Sequence, residues 1–258
     1  MILKADFHIH SCLSPCASLT MSPKKIVEVA KDIGLNAIAI TDHNSSKNNL
    51  ALKNLSQKYK DFYCLFGMEL TVSEEFHTLC LFENFETAMK FDEIIYNSLP
   101  YVKNIPEKMG SEVIVDENDY VVSEVDKYLG IASTYSFETA YNLVNSLGGI
   151  CIPSHIERDF YGVLYQLGYL PEFDYVACEV AYSSFKNSYL KNGKTIFKSC
   201  DISIDKIKTD ENFISNSDSH NLEDIGRIYN EIEVKEFSLE ELKKAFKQKN
   251  YEIVLRKF

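Results

Sequence analysis

Six histidines among 258 residues constrain this chain more than any other feature, because none falls mid-helix and each stands beside a short apolar run. His8 and His10 follow the run Ile2–Phe7, and His43 closes Thr41-Asp42-His43 after a second run that starts at Asn36. His77 stands in Glu75-Phe76-His77, His155 follows Gly149–Pro153, and His220 closes Ser217-Asp218-Ser219-His220. Glu69, in Gly67-Met68-Glu69, caps another run in the same manner. Short apolar runs between helical stretches read as strands of a parallel sheet. In such architectures the carboxyl ends of neighbouring strands meet on one face, so side chains far apart in sequence converge on one pocket. A lone histidine is ordinarily a hydrogen-bonded or surface imidazole. Six at strand ends, accompanied by Glu69, Asp42 and Asp218, point to a shared cation.

The rest of the chain supports that geometry. Ser22-Pro23 opens a helix with an N-cap and a first-turn proline, and Ile26, Val27, Val29, Ala30 and Ile33 line its apolar face before Gly34 stops it. The alternation continues with a helix over 48–58, strands over 62–68 and 76–82, and a helix over 86–98. It resumes with a helix over 137–147, strands over 149–153, 175–180 and 213–216, and a strand–helix–strand unit over 228–255. Residues 101–135 interrupt it with polar, acidic segments that read as a β-hairpin insertion, either a candidate lid over the pocket or a solvated excursion without function. With no repeats or linker, a single domain over 1–258 is expected.

Imidazole and carboxylate together suit Zn²⁺, Mn²⁺ or Fe²⁺ better than Mg²⁺ or Ca²⁺, which favour oxygen. Asp42 reads as the partner that accepts the second ring N–H of His43, as metal-bound histidines require. Arg158, in His155-Ile156-Glu157-Arg158, is a candidate clamp on a substrate phosphate, against the plainer alternative of a salt bridge with Glu157 or Asp159. Glu179, at the end of its strand, faces either the pocket or a neighbouring helix, and is left out of the candidate site.

In this order, His-x-His, Thr-Asp-His, Gly-x-Glu, a middle histidine, Pro-x-His and Ser-Asp-x-His closely resemble the PHP (polymerase and histidinol phosphatase) family, over residues 1–226. The resemblance implies an α/β fold, a distorted (β/α)7 TIM-like barrel, and a phosphoesterase with two or three divalent ions. It also implies that His8, His10, Glu69 and Asp218 hold one ion, and that Glu69 bridges to a second held by His77 and His155. His43 and His220 would hold the third. The family places an acidic residue or a histidine five positions after His10, where this chain has Pro15; Cys12 or Cys16 as a thiolate, or a water, would have to fill that place. A metal-bridging hydroxide would attack phosphorus, with His43 or His220 as the acid if the third ion is lacking. A metal-stabilised module without turnover is the alternative.

Composition bounds the substrate and the setting. A formal charge of −11, with three arginines in the whole chain, gives a field that repels polyanions, so a small phosphorylated substrate is expected and long nucleic acid, hence a nuclease, is disfavoured. Neither a signal peptide nor an apolar run long enough to span a membrane is present, so the cytoplasm is the expected location. The seven cysteines at 12, 16, 64, 80, 151, 178 and 200 include no Cys-x-x-Cys pair and do not read as a disulfide framework; most read as buried thiols.

Overall fold

A computed structural model describes residues 1–183 and 212–256, with the backbone of two short strands between them. Cys200 lies outside the described residues. In chain order the elements are β1 (Ile2–Ile9), α1 (Pro23–Asp32), β2 (Ala37–Ile40), α2 (Asn49–Ser56), β3 (Tyr63–Thr71), β4 (His77–Phe82) and α3 (Phe85–Ser98). Then come α4 (Pro106–Met109), β5 (Val113–Val115), β6 (Val121–Glu124), α5 (Phe137–Ser146), β7 (Ile150–Pro153), α6 (Val163–Leu167) and β8 (Cys178–Glu179). The last are β9 (Ser188–Lys191), β10 (Lys194–Phe197), β11 (Phe213–Ile214), β12 (Ile228–Glu233), α7 (Leu239–Lys247) and β13 (Tyr251–Leu255). Ser22 caps α1 through its side chain, with Pro23 in the first turn, as the sequence predicts.

The fold is α/β, and its main sheet runs β13-β12-β1-β2-β3-β4-β7. β1, β2 and β3 are parallel, whereas β4 runs antiparallel to β3 and β7 antiparallel to β4. The reversal of β4 departs from a regular βα alternation. Gly67 permits the close approach of the β3 and β4 backbones, since a Cβ there would collide with the Cys80 carbonyl. β8 and β11 form a separate parallel pair. Beside β1 the ladder to β12 stops at Ala5, and the next backbone pairing on that edge is an isolated parallel bridge from Ile9 to Ser219. Side chains fill the gap. The Asp6 carboxylate accepts the Ser217 and Gly226 amides, each at 3.0 Å, and Asn216 Oδ1 accepts the Phe7 amide at 2.9 Å. The sheet is thus curled without a continuous closed ladder, and Asp6 fixes the loop that carries Asp218 and His220.

Strand period decides which side chains face the pocket. Ala37, Ala39, Leu65, Leu79, Leu81, Ile150 and Ile152 share one buried cluster with Leu242 and Phe246 of α7, while Ile38, Ile40, Phe66, Met68 and Phe82 pack with the other helices. Glu69 continues the phase of Leu65, and His77 that of Leu79 and Leu81, so both extend the first cluster at its far end. In β1, Leu3, Ala5 and Phe7 belong to this cluster but Ile9 packs on the helix side. The register shift between Asp6 and Ile9 changes the phase. It re-aims His8 and His10 into the same layer as Glu69, a common use of irregular strands near sites.

β5 and β6 pair antiparallel within residues 101–135. The hairpin is fastened: Asn48 Nδ2 donates to the Val113 carbonyl at 3.1 Å, the Val115 amide donates to Asn48 Oδ1 at 3.0 Å, and Cys12 packs on Val113 and Val115. Among the described residues no helix is long and apolar enough to cross a membrane.

Asp6→Asn keeps the shape but turns an acceptor into a donor facing a backbone N–H. It should destabilise the fold by about 1–3 kcal/mol, read by chemical denaturation; an unchanged midpoint would show that Asp6 does not hold the 217–226 loop.

Candidate metal centre

The carboxylate of Glu69 lies at the middle of the site, with five imidazoles around it. Its oxygens are 3.2 Å from His8 Nε2, 3.4 Å from His10 Nε2, 3.2 Å from His43 Nδ1, 3.2 Å from His77 Nδ1 and 3.0 Å from His155 Nε2. Asp218 Oδ1 adds contacts of 3.4 Å to His8, 3.2 Å to His10 and 3.7 Å to His220 Nδ1. All eight residues named from sequence as ligands are therefore in one cluster. His77 reaches it from the start of its strand and not from the end, because β4 is reversed and its amino end lies beside the carboxyl end of β3. His155 and Asp218 hold left-handed backbone, at φ 26° and 48°; such strained conformations persist where the surroundings enforce them, often at functional sites.

Hydrogen bonds on the outer side of the rings fix what faces inward. His8 Nδ1 donates to Glu179 Oε2 at 2.9 Å, which leaves Nε2 to carry the inward lone pair. Ser14 Oγ donates to Asp42 Oδ1 at 2.7 Å and accepts from His10 Nδ1 at 2.9 Å, so His10 Nε2 is inward-facing in the same sense. These two Nε2 atoms are 3.1 Å apart, with carboxylate oxygens of Glu69 and Asp218 alongside. Four acceptors in contact cannot satisfy one another; only protons or a cation between them can. A cation 2.0–2.2 Å from each ligand leaves neighbouring ligands roughly 3.0–3.5 Å apart, which is the spacing found. His155 Nδ1 is also buried without a hydrogen-bond partner among the described residues.

The proton balance points the same way. Burial alone would lower His8 and His10, but Glu179, Glu69 and Asp218 raise His8 well above the usual imidazole range, and hydrogen bonds to Asp218 and Glu69 raise His10 to about 9. His43 rises to about 9 against its burial and the charge of His10, through its hydrogen bonds with Cys16 and Glu69. Burial dominates at His77, pushed down to about 4, and at His220, pushed down to about 3 with help from His10. Glu69 and Asp218 resist their burial and stay ionised, held well below the carboxylate range by the surrounding histidines.

Three readings from sequence need correction or extension. Asp42 does not reach the His43 ring. Its carboxylate accepts from the Ser11 amide at 2.7 Å, Ser11 Oγ at 2.6 Å and Ser14 Oγ at 2.7 Å, so it acts on His10 through Ser14. Sequence adjacency to His43 misleads because neighbouring strand-end side chains diverge. Arg158, half exposed, pairs with Asp218 Oδ2 at 2.8 Å, not with Glu157 or Asp159. Glu179, left out from sequence, orients His8 and also accepts the His155 amide at 3.1 Å; its place at a strand end was the available signal. Arg227 was missed too. With Arg158, His155, Glu179, Tyr182, Asp218 and His220 it lines a cleft of about 440 Å³ beside the cluster.

The PHP domain family model matches residues 6–253, and the chain belongs to that family. Over 84 residues it is 31% identical to the uncharacterized protein MJ1587 of Methanocaldococcus jannaschii, covering 30% of this chain and 45% of that one. The fold resembles the lesion-specific endonuclease PfuEndoQ of Pyrococcus furiosus, with TM-score 0.66 and 20% identity over 98% of this chain and 58% of that one. A structure of endonuclease Q with a 27-mer duplex bearing an abasic lesion at the active site gives TM-score 0.62 and 21% identity, over 96% and 57% of the two chains. A two-domain protein of Bacteroides vulgatus containing a predicted PHP-like metal-dependent phosphoesterase gives TM-score 0.51 and 17% identity, over 99% and 65%. The chain thus spans less than two thirds of the length of each.

These likenesses overturn the exclusion of long nucleic acid. The same fold carries a duplex in endonuclease Q, so net charge is no ground for excluding such a partner. The physical reason is that −11 sums groups across the whole molecule. Asp6, Asp42, Glu69, Asp92, Glu112, Glu157 and Glu179 are buried and do not face an approaching polyanion as free surface charge.

Because cations compete with protons for His8, His10 and His43, zinc or manganese uptake should release protons, and affinity should climb as pH rises toward about 9. Calorimetry in buffers of different ionisation enthalpy measures this; binding without proton release would contradict the assignment. Glu179→Gln should lower metal affinity roughly 10–100-fold in the same titration, and an unchanged affinity would remove Glu179 from the site.

Proposed function

We propose that this chain is a metal-dependent phosphoesterase that hydrolyses a phosphate ester seated in the cleft between Arg158 and Arg227. The observation that carries the reading is the cluster around Glu69, whose inward lone pairs suit at least two divalent ions bridged by one carboxylate. His8, His10, Glu69 and Asp218 would hold one ion, and Glu69, His77 and His155 a second. Zinc, manganese and iron fit this mixed nitrogen and oxygen set. Bound there, the ions would supply a hydroxide nucleophile at neutral pH and offset the charge of the transferring phosphoryl group.

The residues of the chain have separate tasks. Two of its three arginines line the cleft, and their planar guanidinium groups suit phosphate oxygens. Arg227 is set by its own contacts, donating from Nε to the Ser217 carbonyl at 3.0 Å and lying 4.6 Å over the Tyr182 ring. Arg158 joins the cleft to the cluster through Asp218. Of the two histidines considered as the acid, His220 is pushed down to about 3, whereas His43 is raised to about 9 and is the one that would carry a proton for the leaving group if the third ion is lacking.

A second reading is cleavage of a phosphodiester within a nucleic acid. The shared fold with endonuclease Q favours it, and so does an exposed aromatic segment next to the cluster. Phe160 and Tyr165 are 65% and 48% exposed, and Tyr161 stacks on His77 at 4.4 Å; aromatic faces of this kind stack unpaired bases. The chain spans 58% of PfuEndoQ, so the likeness covers the fold and not the whole of that protein.

The test is turnover by purified protein with added Zn²⁺, Mn²⁺ or Fe²⁺ on phosphomonoesters, dinucleotides and lesion-bearing duplexes. Glu69→Gln and Asp218→Asn should each lose more than the roughly 10–100-fold that removal of an orienting partner costs. Arg158→Ala should lose about 10–100-fold in kcat/KM. Stoichiometric metal with no turnover on the whole panel would favour a metal-stabilised module without catalysis.

A further inference from the structure

The PHP resemblance expects a carboxylate or imidazole where this chain has Pro15, and the next residue supplies a different donor. Cys16, His10, His43 and His220 offer ligand atoms that all lie within 4.8 Å of one another. One imidazole nitrogen has a single lone pair and can serve one ion. His10 Nε2 is taken up beside His8, Glu69 and Asp218, and its Nδ1 bonds Ser14. That leaves Cys16, His43 and His220. His220 Nδ1 donates to the Asp218 carbonyl at 2.9 Å, so its unprotonated nitrogen is Nε2. His43 places its Nδ1 3.2 Å from Glu69 Oε2 and also forms a side-chain hydrogen bond with Cys16.

Cys16 is held by hydrogen bonds on both sides. Ser14, two residues before it, accepts the His43 amide at 3.2 Å and donates to Asp42. Ser18, two residues after it, donates its amide to the His220 carbonyl at 2.9 Å. The 14–18 turn is therefore fixed to both histidines. Gly110 supports it from the insertion, because a Cβ there would strike the Pro15 carbonyl. Cys12 is excluded as the donor: it is buried against Val113 and Val115, and its thiol donates to the Val113 carbonyl at 3.6 Å.

We propose that the Cys16 thiolate, with His43 and His220, forms a third, thiolate-bearing cation site beside the Glu69 cluster, selective for a thiophilic ion such as zinc over magnesium. This rests on the Glu69-centred metal reading and departs from an all nitrogen and oxygen site. A Cys/His₂ donor set leaves one position of a tetrahedral zinc site for water or a substrate oxygen. Because Cys16 is exposed, the same thiol is open to oxidation and alkylation unless an ion covers it.

The full-length protein, loaded with Co²⁺ in place of zinc, provides the test. A thiolate-to-cobalt charge-transfer band is expected in the wild type and lost in Cys16→Ser and Cys16→Ala, while Cys12→Ala keeps it. Zinc at the weakest site should bind at least about tenfold more weakly in both Cys16 variants, with the other ions retained. Iodoacetamide labelling of Cys16, mapped by mass spectrometry, should slow when zinc is added. Metal bound without the band, or labelling indifferent to zinc, overturns the thiolate ligand and leaves the phosphoesterase reading standing. Failure to bind any metal overturns both.

Discussion

Everything in this protein's pocket follows from placing lone pairs against lone pairs around the buried carboxylate of Glu69. Such an arrangement is unfavourable in itself, since burial strips each group of water and no donor stands between the acceptors. It persists because the rest of the fold determines it: strand phase brings Glu69 and His77 inward, the irregularity in β1 re-aims His8 and His10, and Asp6 secures the loop bearing Asp218 and His220. A cation relieves the conflict at once, whereas protons relieve it partially, by converting some imidazoles to imidazolium. The orienting bonds from Glu179 to His8, and from Asp42 through Ser14 to His10, make sense in the same terms. Each fixes a ring tautomer so that the free lone pair points at the centre.

The pocket is divided by chemistry. On one side lie the ligands, nearly all buried; on the other, a cleft with Arg158 and Arg227 meets solvent. Asp218 belongs to both, touching His8 and His10 through Oδ1 and Arg158 through Oδ2. The left-handed backbone at His155 and Asp218 marks where that boundary is drawn.

Much of this was legible in the sequence, for definite physical reasons. The membership of the cluster could be read because strand ends converge whatever the details of connection, so the six histidines, Glu69 and Asp218 were expected together. Element positions followed from punctuation such as Ser22-Pro23 and Gly34. Strand direction did not follow: the run 76–82 looks the same parallel or antiparallel, and only its pairing with β3 and β7 in the folded sheet fixes it. Contacts between residues remote in sequence were also illegible, which is why Asp42 was matched with the adjacent His43 and not with Ser14, and why Glu179 and Arg227 were passed over. The charge argument failed on distribution, because a net sum carries no information about which acidic groups are buried.

The most direct measurement is anomalous X-ray scattering from crystals grown with zinc or manganese. The account predicts at least two peaks flanking Glu69, each roughly 2.0–2.2 Å from its imidazole and carboxylate ligands, with His8 and His10 Nε2 sharing one of them with Asp218. Density that shows protonated imidazoles hydrogen-bonded directly to Glu69 and Asp218, with no anomalous signal at saturating metal, would contradict it.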